Sequence, residues 1–353
     1  MNSEFERRMT EAARLMREGR LGEATAQIKS ALGGSELASV LSAAGSHADV
    51  IDVQARVVDT DAPSPRPAAP RAGAVAESFT PGSFRNDQGS RDYKLFEPAR
   101  DGRALPLVVM LHGCTQNPDD FARGTRMNAL ARERGFLVLY PAQSPAHNPQ
   151  GCWNWFKHSH QAAARGEPAI LAGMVREVMA SHDIDPKRVY VAGLSAGGAM
   201  AAILGETHPE LFAAIGVHSG LAAGAATDVQ GALSAMSGAP LPPRRARTAP
   251  VTPTIVFHGD ADHTVNVVNG ARVLEGTGLR ERRESRIEST AKGRSFTRRV
   301  LVDGQGAERA EQWTIHGAGH AWSGGDRAGS YADPLGPDAS AEMLRFFLEH
   351  PRT

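Results

Sequence analysis

From residue 105 to residue 316 the chain alternates two patterns. Short, continuously apolar runs are separated by longer stretches in which apolar positions recur every three or four residues. The continuously apolar runs are Leu105 to Leu111, Phe136 to Tyr140 and Val189 to Val191, and segments 213 to 218, 253 to 258 and 311 to 316 read as further strands. Each continuous run reads as a strand covered on both faces, because a half-exposed strand would alternate apolar with polar. Before them, 83 to 85 and 91 to 96 suggest an opening antiparallel pair. Pro168 to Ser181 predicts a helix, with proline near its start and Ile170, Met174, Val175, Val178 and Met179 along one face. Ala339 to Glu349 predicts a closing amphipathic helix. Buried strands alternating with helices imply a mostly parallel, doubly covered α/β sheet, in which ligands sit at the C-terminal ends of the strands.

The first 77 residues read differently. Phe5, Met9, Ala12, Ala13 and Met16 form one helical stripe; Leu21, Ala24, Ile28, Ala31 and Leu32 form another after the break at Gly19 to Gly22. Residues 1–33 therefore predict a small helical hairpin. It is too small to be stable alone, so its stripes are expected to dock on the rest of the chain, self-associate or contact a polymer surface. Residues 34–77 read as a Pro/Ala-rich linker, most strongly from Asp61 to Pro70, although Ile51, Val53, Ala55 and Val57 alternate as a strand would. The α/β domain is expected over 78–353. Within it, 221 to 250 is rich in Ala, Gly and Pro and reads as a lid or a long surface connection.

Composition narrows the function classes. The 353 residues carry 39 Lys+Arg against 39 Asp+Glu, and no basic patch is interleaved with aromatics, so nucleic acid is not an expected partner. The 2 cysteines, Cys114 and Cys152, make neither a disulfide scaffold nor a zinc spacing. No apolar run approaches the ~20 residues a membrane span needs. The N-terminus has no apolar core of a secretory signal, which favours a cytoplasmic location.

The chemistry gathers at strand ends. Gly193-Leu194-Ser195-Ala196-Gly197 follows a buried strand and opens a small-residue helix, the context that makes G-x-S-x-G a nucleophile elbow. Asp262 follows the 253 to 258 strand and His320 follows the 311 to 316 strand. Ser195, Asp262, His320 is the chain order of α/β-hydrolase triads. A serine hydroxyl becomes a competent nucleophile only when an imidazole takes its proton, and a carboxylate must orient that imidazole. Asp260 and His316 are rivals. Asp262 is preferred because it lies deeper in its loop, and His320 because its Gly-rich loop suits a proton shuttle. Asp260, Asp262 and His263 could also read as metal ligands, but no second cluster matches them, so neither metal nor cofactor is expected. His112-Gly113-Cys114 follows the first buried strand, where backbone N–H groups of Cys114 and Ala196 would hold an oxyanion. Cys114 and Cys152 can pair and fix that loop, or remain two reduced thiols, as a cytosolic location favours. Trp153, Trp155 and Phe156 place three aromatics within four positions. They cannot all face inward at strand or helix spacing, so Trp153, Trp155 and also Trp322 are expected to line a substrate cleft.

With these residues in hand, the chain resembles the poly(3-hydroxybutyrate) depolymerase esterases, a family that includes feruloyl-esterase-like members. The resemblance rests on L-H-G-C-T-Q (111 to 116), G-C-W-N-W-F (151 to 156) and R-V-Y-V-A-G-L-S-A-G-G (188 to 198). It continues through F-H-G-D-A-D-H-T-V (257 to 265), G-A-G-H-A-W-S-G-G (317 to 325) and the closing 333 to 347. It implies an α/β-hydrolase fold, Ser195 as nucleophile, Asp262 as acid, His320 as base, Cys114 at the oxyanion hole, and ester hydrolysis through an acyl-enzyme. Secreted depolymerases of this type resemble a signal peptide, catalytic domain, linker and C-terminal polymer-binding domain in series; here the linker and extra module come first. Soluble hydroxyalkanoate oligomers, amorphous polyester or short-chain esters are thus expected before crystalline polymer. A feruloyl or acetyl esterase, and a non-catalytic binding protein on a hydrolase scaffold, are the alternatives.

Overall fold

The computed structural model describes residues 76–241, 251–275, 277, 279–287 and 293–352. The expected hairpin over 1–33, nearly all of the linker, and 242–250 of the possible lid lie outside the described residues.

The first elements among the described residues are strands β1 (Ser78–Asn86) and β2 (Gly89–Glu97), paired antiparallel through the turn between them. β3 (Leu105–Leu111) follows, then helices α1 (Pro118–Thr125) and α2 (Met127–Arg134), β4 (Leu137–Pro141) and α3 (Gly166–Ser181). β5 (Ile184–Leu194) leads into α4 (Ala196–Thr207), and β6 (Ala214–His218) precedes α5 (Val229–Met236). β7 (Thr254–Gly259), α6 (Val268–Arg272), β8 (Arg280–Ile287), β9 (Phe296–Val302) and β10 (Glu308–Ile315) complete the sheet. The short pair β11 (Trp322–Ser323) and β12 (Ala332–Asp333) precedes α7 (Ala339–Glu349).

Ten strands form one sheet in the order β1-β2-β4-β3-β5-β6-β7-β10-β9-β8. The inner run from β4 to β10 is parallel, and the two flanks are antiparallel. The expected fold class is therefore the observed one. The period-2 alternation of each inner strand divides the core between two faces. Leu107, Val109 and Leu111 of β3 pack on one side with Ile170, Leu171 and Val175 of α3 and Met200, Ile203 and Leu204 of α4. Val108 and Met110 pack on the other side with Phe121 of α1, Met127 of α2 and Met343, Phe346 and Phe347 of α7.

The hydrophobic pattern left α1, α2, α5, α6, β8, β9, β11 and β12 unassigned. α1 is marked by its cap instead: Asn117 accepts the N–H of Asp120, and Pro118 sits in the first turn. β8 is built mostly of arginine, glutamate and serine and shows no apolar run, and β9 has only the short run Val300 to Val302 after two arginines, burying Val300 and Val302.

Candidate active site

Ser195 stands at the turn between β5 and α4 with φ 57° and ψ −118°, a conformation that costs a non-glycine residue of order 1–3 kcal/mol. The surrounding backbone imposes it. A Cβ on Gly197 would lie 2.0 Å from the Leu111 carbonyl oxygen, and one on Gly193 would lie 2.3 Å from the Gly197 carbonyl carbon. Both glycines are thus required by close approach, and β5 meets α4 nearly backbone to backbone. The Ser195 N–H donates to the carbonyl of His218 at 2.9 Å, and its own carbonyl accepts the Ala199 N–H at 2.9 Å to start the helix. The N–H of Ala196, in the first turn, has no partner within α4.

Two loops on the same edge of the sheet supply carboxylates and imidazoles, and they form two separate pairs. His316 Nδ1 lies 2.8 Å from Asp260 Oδ2, and His320 Nδ1 lies 2.7 Å from Asp262 Oδ2. The second ring nitrogen distinguishes them. Nε2 of His316 is taken by the Thr297 hydroxyl at 2.9 Å, whereas Nε2 of His320 has no protein partner among the described residues. Asp262 is also the buried acid, with Oδ1 accepting the N–H groups of Thr264 (2.9 Å) and Val265 (2.8 Å). Burial by itself would raise the Asp262 carboxyl. The hydrogen bonds of His258 and His320, with the Val265 N–H, outweigh it and hold the group well below the usual carboxylate range.

Two further histidines, which the hydrophobic pattern absorbed as strand residues, support these groups. His258 Nε2 faces the Val265 carbonyl at 2.8 Å and Asp262 Oδ2 at 3.5 Å. A carbonyl only accepts, so this nitrogen carries the proton. His218, next to the nucleophile strand, accepts the Ser323 N–H on Nε2 at 2.9 Å, three residues after the candidate base. Its ring stacks on Trp322, and burial pushes it well below the ordinary imidazole value. One residue thereby ties the nucleophile's turn, through its carbonyl, to the base's loop, through its ring. The signal was present: both histidines end strands in the run that adjoins β5.

The oxyanion side is built on β3. Cys114 and Cys152 are joined by a disulfide, the paired alternative of the two. His112 Nε2 accepts the Gln143 N–H at 3.1 Å, so Nδ1 is the protonated nitrogen, and it donates to the Gly113 carbonyl at 2.8 Å. Full burial lowers His112 to about 4. That carbonyl and the Cys114 N–H belong to one planar trans peptide and point opposite ways, so fixing one aims the other. Gly113 lies against the nucleophile: a Cβ placed there would be 3.6 Å from Ser195 Cβ. Neither the Cys114 N–H nor the Ala196 N–H has a protein acceptor among the described residues.

The tryptophans correct an expectation. Trp153, Trp155 and Trp322 are 0%, 4% and 1% exposed, so none of them walls an open cleft. Trp153 donates its ring N–H to the His112 carbonyl, and Trp322 donates to Ser340. The spacing argument failed because 151 to 156 is irregular backbone, free of strand or helix periodicity. Trp153 and Trp155 turn inward together with Asn154, whose N–H and side chain bind the buried Glu167 carboxylate at 2.7 and 2.8 Å. Arg91 completes that buried ion pair at 3.0 Å.

Comparison with known proteins places this geometry in context. The family model described as "Esterase PHB depolymerase" matches residues 92–300. The chain is 33% identical over 230 residues to poly(3-hydroxyalkanoate) depolymerase C of Paucimonas lemoignei, covering 61% of this chain and 54% of that protein. It is 27% identical over 262 residues to poly(3-hydroxybutyrate) depolymerase of Ralstonia pickettii, covering 67% and 52% respectively. With feruloyl esterase B of Neurospora crassa it shares 34% identity over 117 residues, 33% of this chain and 39% of that one. The chain thus spans about half the length, or less, of these relatives. Among solved structures, an acetyl xylan esterase from Aspergillus awamori superposes with a TM-score of 0.58 at 19% identity, over 73% of this chain and 93% of that one, a likeness of fold.

Proposed function

The chain belongs to the PHB depolymerase esterase family, and from that premise we propose that it is a serine carboxylic-ester hydrolase working through an acyl-enzyme. The observation that carries this reading is the Asp262–His320 pair, whose Nε2 has no protein partner among the described residues, on the sheet edge where the elbow displays Ser195. In this mechanism His320 Nε2 takes the Ser195 proton as Oγ attacks the ester carbonyl. Asp262 keeps the imidazole in the tautomer with Nδ1–H and stabilises the cation that forms. The N–H groups of Cys114 and Ala196 hold the tetrahedral oxyanion. His320 then protonates the leaving alcohol, and water repeats the sequence on the acyl-enzyme.

For the substrate we favour 3-hydroxyalkanoate oligomers, amorphous polyester or short-chain esters, which the two depolymerase relatives support. Feruloyl or acetyl esters are the second reading, favoured by the similarity to feruloyl esterase B. The domain proposed to carry this activity is 78–353. Its disulfide is of the kind that persists in oxidising surroundings and weighs against the cytoplasmic expectation.

The direct test is turnover of 4-nitrophenyl butyrate, methyl ferulate, a 3-hydroxybutyrate trimer and amorphous polyhydroxybutyrate by the native chain and Ser195→Ala. The variant is expected to lose about 10⁴-fold or more in kcat. Undiminished turnover would end the serine-esterase reading, and the rank order of the four substrates decides between the two substrate classes.

A further inference from the structure

Tyr331 is 47% exposed, yet its backbone is held from both sides. Before it, Ser330 donates its N–H and its hydroxyl to the Asp120 carboxylate at 2.9 and 2.5 Å, and the Ser330 carbonyl accepts from Gln116 at 3.0 Å. After it, the Tyr331 carbonyl accepts the Trp322 N–H at 2.7 Å, and Ala332 pairs with Trp322. Between these anchors Tyr331 takes φ 50°, the left-handed region, which a bulky side chain enters only under constraint. Half exposure returns little of that cost through burial. Among the described residues, the other non-glycine residues with positive φ are Arg126, Thr115 next to Cys114, Ser195 itself and Ser219 next to His218.

The ring's position gives the strain a purpose. It stands edge-on to the His320 imidazole, centroids 6.4 Å apart at 78°. Its hydroxyl is 3.4 Å from Thr115 Oγ1. The Thr115 hydroxyl already donates to the Cys114 carbonyl at 2.6 Å, so Tyr331 is the donor in the longer contact. A hydrogen bond of that length is weak, and a better acceptor would take the proton.

We propose that Tyr331 forms the alcohol-side subsite of the ester, its hydroxyl donating to an acceptor oxygen on the departing alcohol portion. That portion must leave past His320, because His320 protonates the leaving oxygen, and Tyr331 stands beside that imidazole. In a 3-hydroxyalkanoate oligomer the alcohol portion is another 3-hydroxyacyl unit, with a carbonyl oxygen two carbons from the carbon bearing the leaving oxygen. A simple alkyl alcohol carries no such acceptor, and in 4-nitrophenol the nitro oxygens lie across the ring from the leaving oxygen. Tyr331 would thereby select for hydroxyacyl esters. This rests on the hydroxyalkanoate reading of the substrate.

The test compares the full chain with Tyr331→Phe on a 3-hydroxybutyrate trimer and on 4-nitrophenyl butyrate. The ratio of kcat/KM for the trimer to that for the nitrophenyl ester is expected to fall about 3- to 10-fold, the worth of one hydrogen bond to a neutral acceptor. Most of the change is expected in KM for the trimer. An unmoved ratio, whether both rates hold or both fall together, overturns the subsite while leaving the substrate reading intact. A native chain that cleaves the nitrophenyl ester but not the trimer overturns the substrate reading itself, and the subsite with it.

Discussion

What separates the two aspartate–histidine pairs is the remaining nitrogen of each imidazole. His316 spends both nitrogens on protein groups, Asp260 and Thr297, and so serves as a clasp between β9 and the ends of β7 and β10. His320 spends only one. The difference predicts unequal responses to the same substitution. Asp262→Asn presents an amide to Nδ1, disrupts the needed tautomer, and is expected to lower kcat about 10⁴-fold. Asp260→Asn is expected to stay within about 5-fold, since it breaks an exposed contact. Steady-state kinetics on 4-nitrophenyl butyrate checks both, and a reversed order would exchange the roles of the pairs. Sequence order pointed to the loops that carry both pairs, but residue spacing could not show which imidazole was already engaged.

At the scale of elements, the site is assembled from loops that rigid strands hold in register. β5, β6, β7 and β10 run parallel as consecutive neighbours, so the turns after Leu194, His218, Gly259 and Ile315 emerge on one edge. The loop after β3 emerges there as well and is tied down by the disulfide, whose cysteines lie 38 residues apart. Replacing Cys114 and Cys152 together by serine is expected to lower unfolding stability by about 2–4 kcal/mol, measurable by urea titration. It is also expected to lower kcat, because the proposed oxyanion donor lies at the freed position. Loss of stability with full kcat retained would remove Cys114 from the oxyanion hole. The pairing itself was one of two open alternatives in the sequence, since two cysteines so far apart meet only if the intervening chain folds back.

The whole molecule carries a cost in buried neutral histidines that acid should reveal. His112 is held at about 4 in the folded protein by burial, against about 6.5 in an unfolded chain. Above pH ~6.5 both states are neutral and the shift has no effect. As pH falls from ~6.5 towards 4 the unfolded chain takes up a proton that the folded one refuses, and stability drops, by about 3 kcal/mol for this group alone. His218, pushed in the same direction by burial, adds to the loss. The depressed Asp262 carboxyl acts in the next window: its contribution is whole above the ordinary carboxylate value and disappears as pH falls below it. Urea midpoints at pH 7.0, 5.5 and 4.5 are therefore expected to decline steadily, and a flat profile would contradict neutral imidazoles beneath the site.

Sequence by itself determined the parallel centre of the sheet, the elbow and the order of the three candidate catalytic residues. These follow from local rules: continuous apolar runs bury on both faces, glycines mark close approach, and a short motif carries its own turn. Tertiary structure decided everything that depends on which atoms remain free once distant segments meet. It tied up His316 and left His320 with an unpartnered nitrogen. It turned Trp153, Trp155 and Trp322 into the core, and it set Tyr331 beside the imidazole under strain. Hydrogen-bond saturation and burial are properties of the packed whole, because each polar group is claimed by whichever partner the fold brings nearest, whatever the distance along the chain.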